Sequence, residues 1–170
     1  MYLNAKNISS YLVIKDTDKD LGKPAQVGWD LTLADVKQIG AGHHKLTQSG
    51  SEIDQNAYVP VPLMINPHKE SEKLWILAPG VYSLTFHQGC SLPNHIKAEI
   101  VHRSSLLRMG VEIKSAVYDP GFKVERMGAV MIVHNMVSIE YGARVAQILM
   151  ATTEEAVKYN GQWQGQKDIK

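Results

Sequence analysis

An all-β barrel or sandwich is the fold class this sequence predicts, on two observations. Short runs rich in β-branched and aromatic residues alternate apolar with polar, as half-buried strands do, at Val27–Leu33, Val81–Phe86 and Ile96–Val101. Turn residues punctuate these runs at close intervals, at Pro79-Gly80, Ser91–His95 and Asp119-Pro120-Gly121.

Taken in order, Asn4–Ile14 reads as a short helix with Leu3, Ile8, Tyr11 and Leu12 on one face, and Asp16–Lys23 as a charged loop. Val27–Leu33 is a strand with Asp30 set among apolar neighbours, either capping a turn or supporting a site. Residues His43–Asn56 are polar and aperiodic, which predicts a loop or hairpin excursion. The pair His43-His44 has no third ligand nearby in sequence, so it reads as a solvated loop pair rather than a metal site. Two prolines demote Tyr58–Met64 to an edge or irregular strand, and Leu74–Leu77 is a short strand. The tail, 153–170, opens as a short helix and becomes polar, with little to bury until a ligand covers it.

A chain of 170 residues with 44% apolar content is one domain, 1–170, large enough for a real core. A net charge of +1 favours neither nucleic acid nor an anionic membrane as partner. The single cysteine, Cys90, excludes an intrachain disulfide framework and points to a reducing, cytoplasmic setting. No run approaches the ~20 apolar residues of a membrane helix, and Met1–Lys6 does not open a secretory signal.

The chemistry concentrates between His102 and Met150. Arg103-Ser104-Ser105, with Arg108 beyond, offers guanidinium and hydroxyl donors suited to an oligophosphate. Asp119 stands in a turn where its carboxylate can orient a water, and Arg144–Ile148 closes the stretch on a strand-like run. Together these read as a nucleotide-hydrolysing site. Each residue also has a plainer role: Arg103 and Arg108 as interface ion-pair partners, Asp119 as a turn former, His134 as a packed histidine.

In this order the motifs resemble the dCTP deaminase branch of the trimeric dUTPase superfamily. The resemblance is carried by Leu77-Ala78-Pro79-Gly80, Leu92-Pro93, His102–Gly110, Tyr118–Phe122 and Arg144–Ile148. Gly28–Leu31 adds a weaker first motif, and Lys158–Gln162 is similar to the deaminase tail. What the resemblance implies is a distorted jelly-roll-like β-barrel with short helices, assembled as a homotrimer with three interfacial sites, and Mg²⁺ held through the triphosphate. By position, Arg103, Ser104, Ser105 and Gln147 would hold phosphates, with Lys158 and Gln162 arriving from a tail that closes over the nucleotide. Asp119, the catalytic carboxylate, would face the deoxyribose and the attacking water; Phe122 would lie against the sugar; Arg108 would serve catalysis while facing a neighbouring subunit; Asp30 would support them.

One departure decides the expected chemistry. Family deaminases carry a glutamate about ten residues after the turn aspartate, which activates water and shuttles protons at C4 of cytosine. Here the strand reads Gly128–Asn135 with no glutamate in any register, even allowing for an apparent insertion, Val124–Met127. Counting from Asp119 lands beside Ala129, and counting back from Asn135 lands on Ile132 or Val133, all aliphatic and unable to move a proton. Glu125 substitutes only if the insertion folds into the site. The expected function is therefore dUTP diphosphatase, giving dUMP and pyrophosphate; the rivals are a dCTP deaminase, bifunctional or not, and a non-catalytic nucleotide-binding relative.

Overall fold

The computed structural model describes residues 1–18, 21–154, 159–161 and 164–165. Its main sheet has eight strands, of which Lys23–Pro24 and Tyr58–Pro60 are short additions to the first of the six that form its path: β1 (Trp29–Ile39), β2 (Gly80–Phe86), β3 (Ile96–His102), β4 (Val111–Lys114), β5 (Gly128–Val133) and β6 (Arg144–Thr152). They lie in the order β3–β6–β1–β2–β5–β4, every neighbour antiparallel. The two outer strands then meet. Just past β4, Tyr118 N donates to Ala98 O at 2.8 Å and Ala98 N to Tyr118 O at 3.0 Å, while Ile100 N donates to Ser115 Oγ at 3.0 Å. These bonds pair what would be exposed sheet edges, so the sheet curls into a nearly closed barrel. The all-β, jelly-roll-like barrel expected from the sequence is the observed architecture.

Period-two alternation explains its filling. Leu31 and Leu33 of β1, Leu84 and Phe86 of β2, Met131 of β5 and Ile148 of β6 all point into one fully buried core. Along β1, however, Asp30 and Thr32 are buried too, although they point to the opposite face. Polar side chains cover that face: Thr32 N donates to Gln88 Oε1 at 3.0 Å, and Gln88 Nε2 donates to Leu21 O at 2.8 Å. Buried polar groups are tolerated there because they are satisfied.

Two smaller sheets flank the barrel, one of Leu12–Ile14, Gln88–Ser91 and Lys123–Val124, the other of Val137–Glu140, Lys69–Leu77 and Met64–Asn66. The excursion at 43–56 contains a hairpin of Lys45–Thr47 with Gly50–Glu52. His43 and His44 are exposed on it; His44 Nδ1 accepts from Asp54 N at 3.1 Å.

Two elements differ from their sequence reading. The N-terminal helix covers only Ala5–Ser9, capped by Asn4 Oδ1, which accepts from Asn7 N at 3.0 Å. Leu12–Ile14 instead form a strand against Gln88–Cys90, where β-branched Val13 and Ile14 gain a ladder that a lone helical turn lacks. The donor cluster after β3 is also not a bare strand end: Ser104–Arg108 form a short helix, α1, followed by Gly110 at φ 75°. No helix among the described residues is long and apolar enough to cross a membrane.

Cys90 is fully buried, and burial pushes its thiol up to about 12, so it is inert packing. His87 is also buried, edge-on to Tyr141, with Nδ1 3.3 Å from Asp18 Oδ1. Burial holds His87 below the usual histidine range, against the smaller upward pull of Asp18. A histidine depressed in the fold binds fewer protons there than in the unfolded chain. Its stabilising share is thus complete above pH ~6.5 and lost as pH falls through the depressed folded value. We expect thermal unfolding scans to show the melting temperature falling below that pH, and His87→Gln to flatten this part of the profile.

Candidate functional site

Two groups of polar side chains stand out, at different places on the barrel. The first is built around Asp30, whose residue is 2% exposed. Its Oδ2 accepts from Arg103 Nη1 at 2.9 Å and Arg144 Nη1 at 2.8 Å, and its Oδ1 accepts from Gln147 Nε2 at 2.9 Å. Strand register brings these together: Gln147 on β6 pairs directly with Asp30 on β1, and a register shift between Arg144 and Ala146 offsets Arg144 towards Thr32. Arg103 N donates to Val145 O at 3.0 Å, tying the start of α1 to the same strand. One buried carboxylate thus orients two guanidinium groups and an amide, leaving a net positive cluster beside the exposed Ser104 and Ser105. Arg108 is exposed at the far end of α1.

The second group surrounds a cavity of about 770 Å³. Its walls include Asp119, Phe122 and Tyr118 from the aspartate turn and Lys114, Ser115 and Ala116 from the end of β4. Val130 of β5, Arg126 of the insertion and Tyr159 of the tail complete the part that concerns the chemistry. The turn is pinned. Phe122 N donates to Asp119 O at 3.1 Å, Leu92 N to Phe122 O at 2.9 Å, and Gly121 takes φ 80°, where a side chain would be strained. Asp119 is exposed at the rim, Phe122 is buried between Tyr118 and Tyr159 at ring distances of 5.6 and 5.2 Å, and burial pushes the Tyr118 phenol well up. Among the described lining residues, Asp119 is the sole acid.

The strand after the turn bears on proton chemistry. Ala129, Met131 and Val133 of β5 are buried and Val130 and Ile132 face outward; Ala129 and Val130 both line the cavity, and Ile132 does not. Glu125 lies outside the cavity wall and pairs with Lys15 at 3.7 Å on the surface. Beside Ile132 stands its ladder partner Glu112, but Lys114 at 2.6 Å, then His134 at 3.2 Å, hold that carboxyl below its usual range. A carboxylate held ionised in this way is a poor shuttle at neutral pH.

The structure therefore gathers Arg103 and Gln147 on Asp30, and Asp119 with Phe122 at the cavity. Arg103, Ser104, Ser105, Arg108 and Gln147 are not among the residues lining the cavity. Lys158 and Gln162 lie outside the described residues. Described parts of the tail sit on the aspartate turn: Tyr159 N donates to Pro120 O at 3.2 Å and Gln164 Nε2 to Gly121 O at 3.1 Å. Sequence reasoning passed over Arg144 as an individual site residue, and over Asp18, His87 and Arg126. The repeated arginine at both ends of the polar stretch was the available signal for Arg144; nothing local marks the other three, of which Asp18 and Arg126 meet across 108 positions of chain.

A nearly closed antiparallel barrel that carries a carboxylate-anchored arginine cluster and an aspartate-turn cavity belongs to the jelly-roll-like class of β-barrels. Residues 4–153 match the family model described as dCTP deaminase-like, and the chain belongs to that family. Among curated proteins it is 38% identical over 94 residues to an Aeropyrum pernix protein named probable deoxyuridine 5'-triphosphate nucleotidohydrolase, covering 53% of this chain and 58% of that one. A Methanosarcina mazei protein of the same name is 29% identical over 145 residues, covering 82% and 79%. In fold, the chain is similar to 2'-deoxycytidine 5'-triphosphate deaminase from Agrobacterium tumefaciens, with TM-score 0.64 and 18% identity, over 88% of this chain and 46% of that one. The chain thus spans little more than half of the first relative and under half of the structural one.

The Asp30 cluster makes a direct prediction. Asp30→Asn keeps the shape but removes the charge that two arginines share, so each loses a charge-assisted hydrogen bond. With both arginines partly exposed, we expect a loss of about 2 kcal/mol in urea unfolding.

Proposed function

We propose that this protein hydrolyses dUTP to dUMP and pyrophosphate, in sites completed between the subunits of a homotrimer. The observation that carries the chemistry is the cavity wall: Asp119 is its acid among the described residues, and β5 contributes Gly128, Ala129 and Val130, none of which can shuttle a proton as a deaminase requires. The names of the archaeal relatives support the same reading.

The separation of the two groups supports the trimer. A phosphate cluster without a base pocket, and a base pocket without phosphate ligands, are each half a site, so a second copy supplies the missing half. In that arrangement Arg103, Ser104, Ser105 and Gln147 hold the triphosphate, with Arg108 reaching a neighbouring subunit. Asp119 orients and deprotonates the water attacking the α-phosphorus, and Phe122 packs against the sugar. The tail, 153–170, with Lys158 and Gln162, closes over the nucleotide of this single-domain enzyme.

The donor set fits a divalent cation brought by the substrate. Among the described residues no three His, Cys, Asp or Glu side chains gather as a metal cage. Mg²⁺ would be held by triphosphate oxygens, and when bound it neutralises their charge. Arg103 and Arg144, held by Asp30, orient the chain's own positive charge towards the same phosphates.

Purified protein incubated with each dNTP and Mg²⁺ should release pyrophosphate from dUTP and no ammonia from dCTP. Ammonia release at a comparable rate would replace this reading with a deaminase, and neither product would leave a binding protein. Asp119→Asn should lower single-turnover hydrolysis by roughly 10²–10⁴-fold with nucleotide affinity unchanged. A destabilised but active variant would reduce Asp119 to a turn former.

A further inference from the structure

Arg126 belongs to the stretch Val124–Met127 that follows the aspartate turn as an apparent insertion, and that stretch is firmly built. Val124 pairs with Cys90 in a ladder, Met127 N donates to Gln88 O at 2.9 Å, and Phe86 N donates to Met127 O at 2.8 Å. A Cβ at Gly89 would collide with the carbonyls of Val124 and Glu125, so the backbones touch. Met127 is fully buried. From this anchored segment Arg126 reaches the cavity wall beside Ser83 and Gly128.

Behind the wall its guanidinium meets a buried acid. Arg126 Nη2 lies 3.5 Å from Asp18 Oδ2, and the other oxygen of that carboxylate lies 3.3 Å from His87 Nδ1. Asp18 is 5% exposed, so its charge needs a cation, and burial keeps His87 from supplying one readily. A guanidinium has five N–H donors and no acceptor, so one contact to Asp18 leaves donors to spare for a second partner in the cavity that Arg126 lines. The second cavity cation, Lys114, is a looser candidate: its side chain is 61% exposed and already paired with Glu112 at 2.6 Å.

We propose that Arg126 is a specificity-determining residue that selects a 4-oxo pyrimidine over a 4-amino one, with Asp18 as its positioning residue. This rests on reading the cavity as the pyrimidine pocket. Uracil offers a carbonyl oxygen at position 4, which accepts from the guanidinium. Cytosine offers an amine there, so two donors would face each other in a desolvated site. A fixed donor that cannot turn into an acceptor rejects the wrong edge, which an aliphatic wall cannot do.

The test is equilibrium binding of dUMP and dCMP to the full chain, beside pyrophosphate release from dUTP. Wild type should favour dUMP at least about tenfold, the worth of one charge-assisted hydrogen bond. Arg126→Lys keeps the charge that Asp18 needs, but its donors sit on one nitrogen and lack the planar fork that spans the acid behind the wall and a base carbonyl in front of it, so the preference should collapse towards unity. The double variant Asp18→Asn with Arg126→Gln removes both partners, leaves no unpaired buried charge, and should lose the preference too. An unchanged ratio in both variants overturns the proposal, as does an equal loss for both nucleotides, which would mark a phosphate ligand, or a wild type that binds neither. If the dUMP preference depends on Arg126 but dUTP is not hydrolysed, the selector stands and the hydrolase reading falls. Hydrolysis with a ratio indifferent to Arg126 does the reverse.

Discussion

The carboxylate of Asp30 is the constraint on which the arginine cluster of this molecule depends. It sits on a barrel strand, on the face away from the apolar core, in a place where an unpaired charge would be costly. Two arginines and a glutamine relieve that cost, Arg103 from the start of α1 and Arg144 and Gln147 from β6. The relief works in both directions. Arg103 and Arg144 would otherwise be long, freely rotating side chains, and the shared acid tethers one Nη1 of each. Pre-ordered charge lowers the reorganisation cost of binding an anion, so in the proposed site one buried aspartate would serve the fold and the ligand together.

Barrel closure does the equivalent for the other half. The pairing of Ala98 with Tyr118 brings the segment between β4 and the aspartate turn against β3, and so places Ser115 and Tyr118 beside the cavity. Tyr118 then packs on Phe122, Phe122 on Tyr159, and the turn inherits the rigidity of the barrel. Asp119 is therefore an exposed group on a stiff support, a combination suited to positioning a water. The same closure leaves the Asp30 cluster off the cavity wall, and the proposed assembly follows from that geometry.

Much of this was legible in the chain. Alternation and turn chemistry located β1, β2 and β3 because half-buried strands write their geometry into period two, and Asp119-Pro120-Gly121 wrote its turn directly. The helix Ala5–Ser9 was overextended because Tyr11 and Leu12 continue an apolar helical face; only the free edge of Gln88–Ser91, distant in sequence, draws them into a ladder. Asp30 was visible as an anomaly, a charge in an apolar run, but its partners lie 73 to 117 positions away and no local pattern joins them. The pairing of Asp18 with Arg126 across 108 positions was illegible for the same reason.

The insertion gives these observations a common chemical sense. Deamination asks a pocket for a carboxylate that gains and loses a proton beside the base, whereas phosphoryl transfer asks for positioning and charge at the phosphates. Once the reaction lies at phosphorus, the wall facing the base needs no titrating group, and aliphatic Val130 suffices there. What it still needs is a means of telling one pyrimidine from another. A guanidinium supplies that without entering the chemistry, because it stays charged at any working pH and donates only. On the proposed reading, an aliphatic β5 face and an anchored arginine four residues before Val130 are two parts of one arrangement, a wall that reads the base without reacting with it.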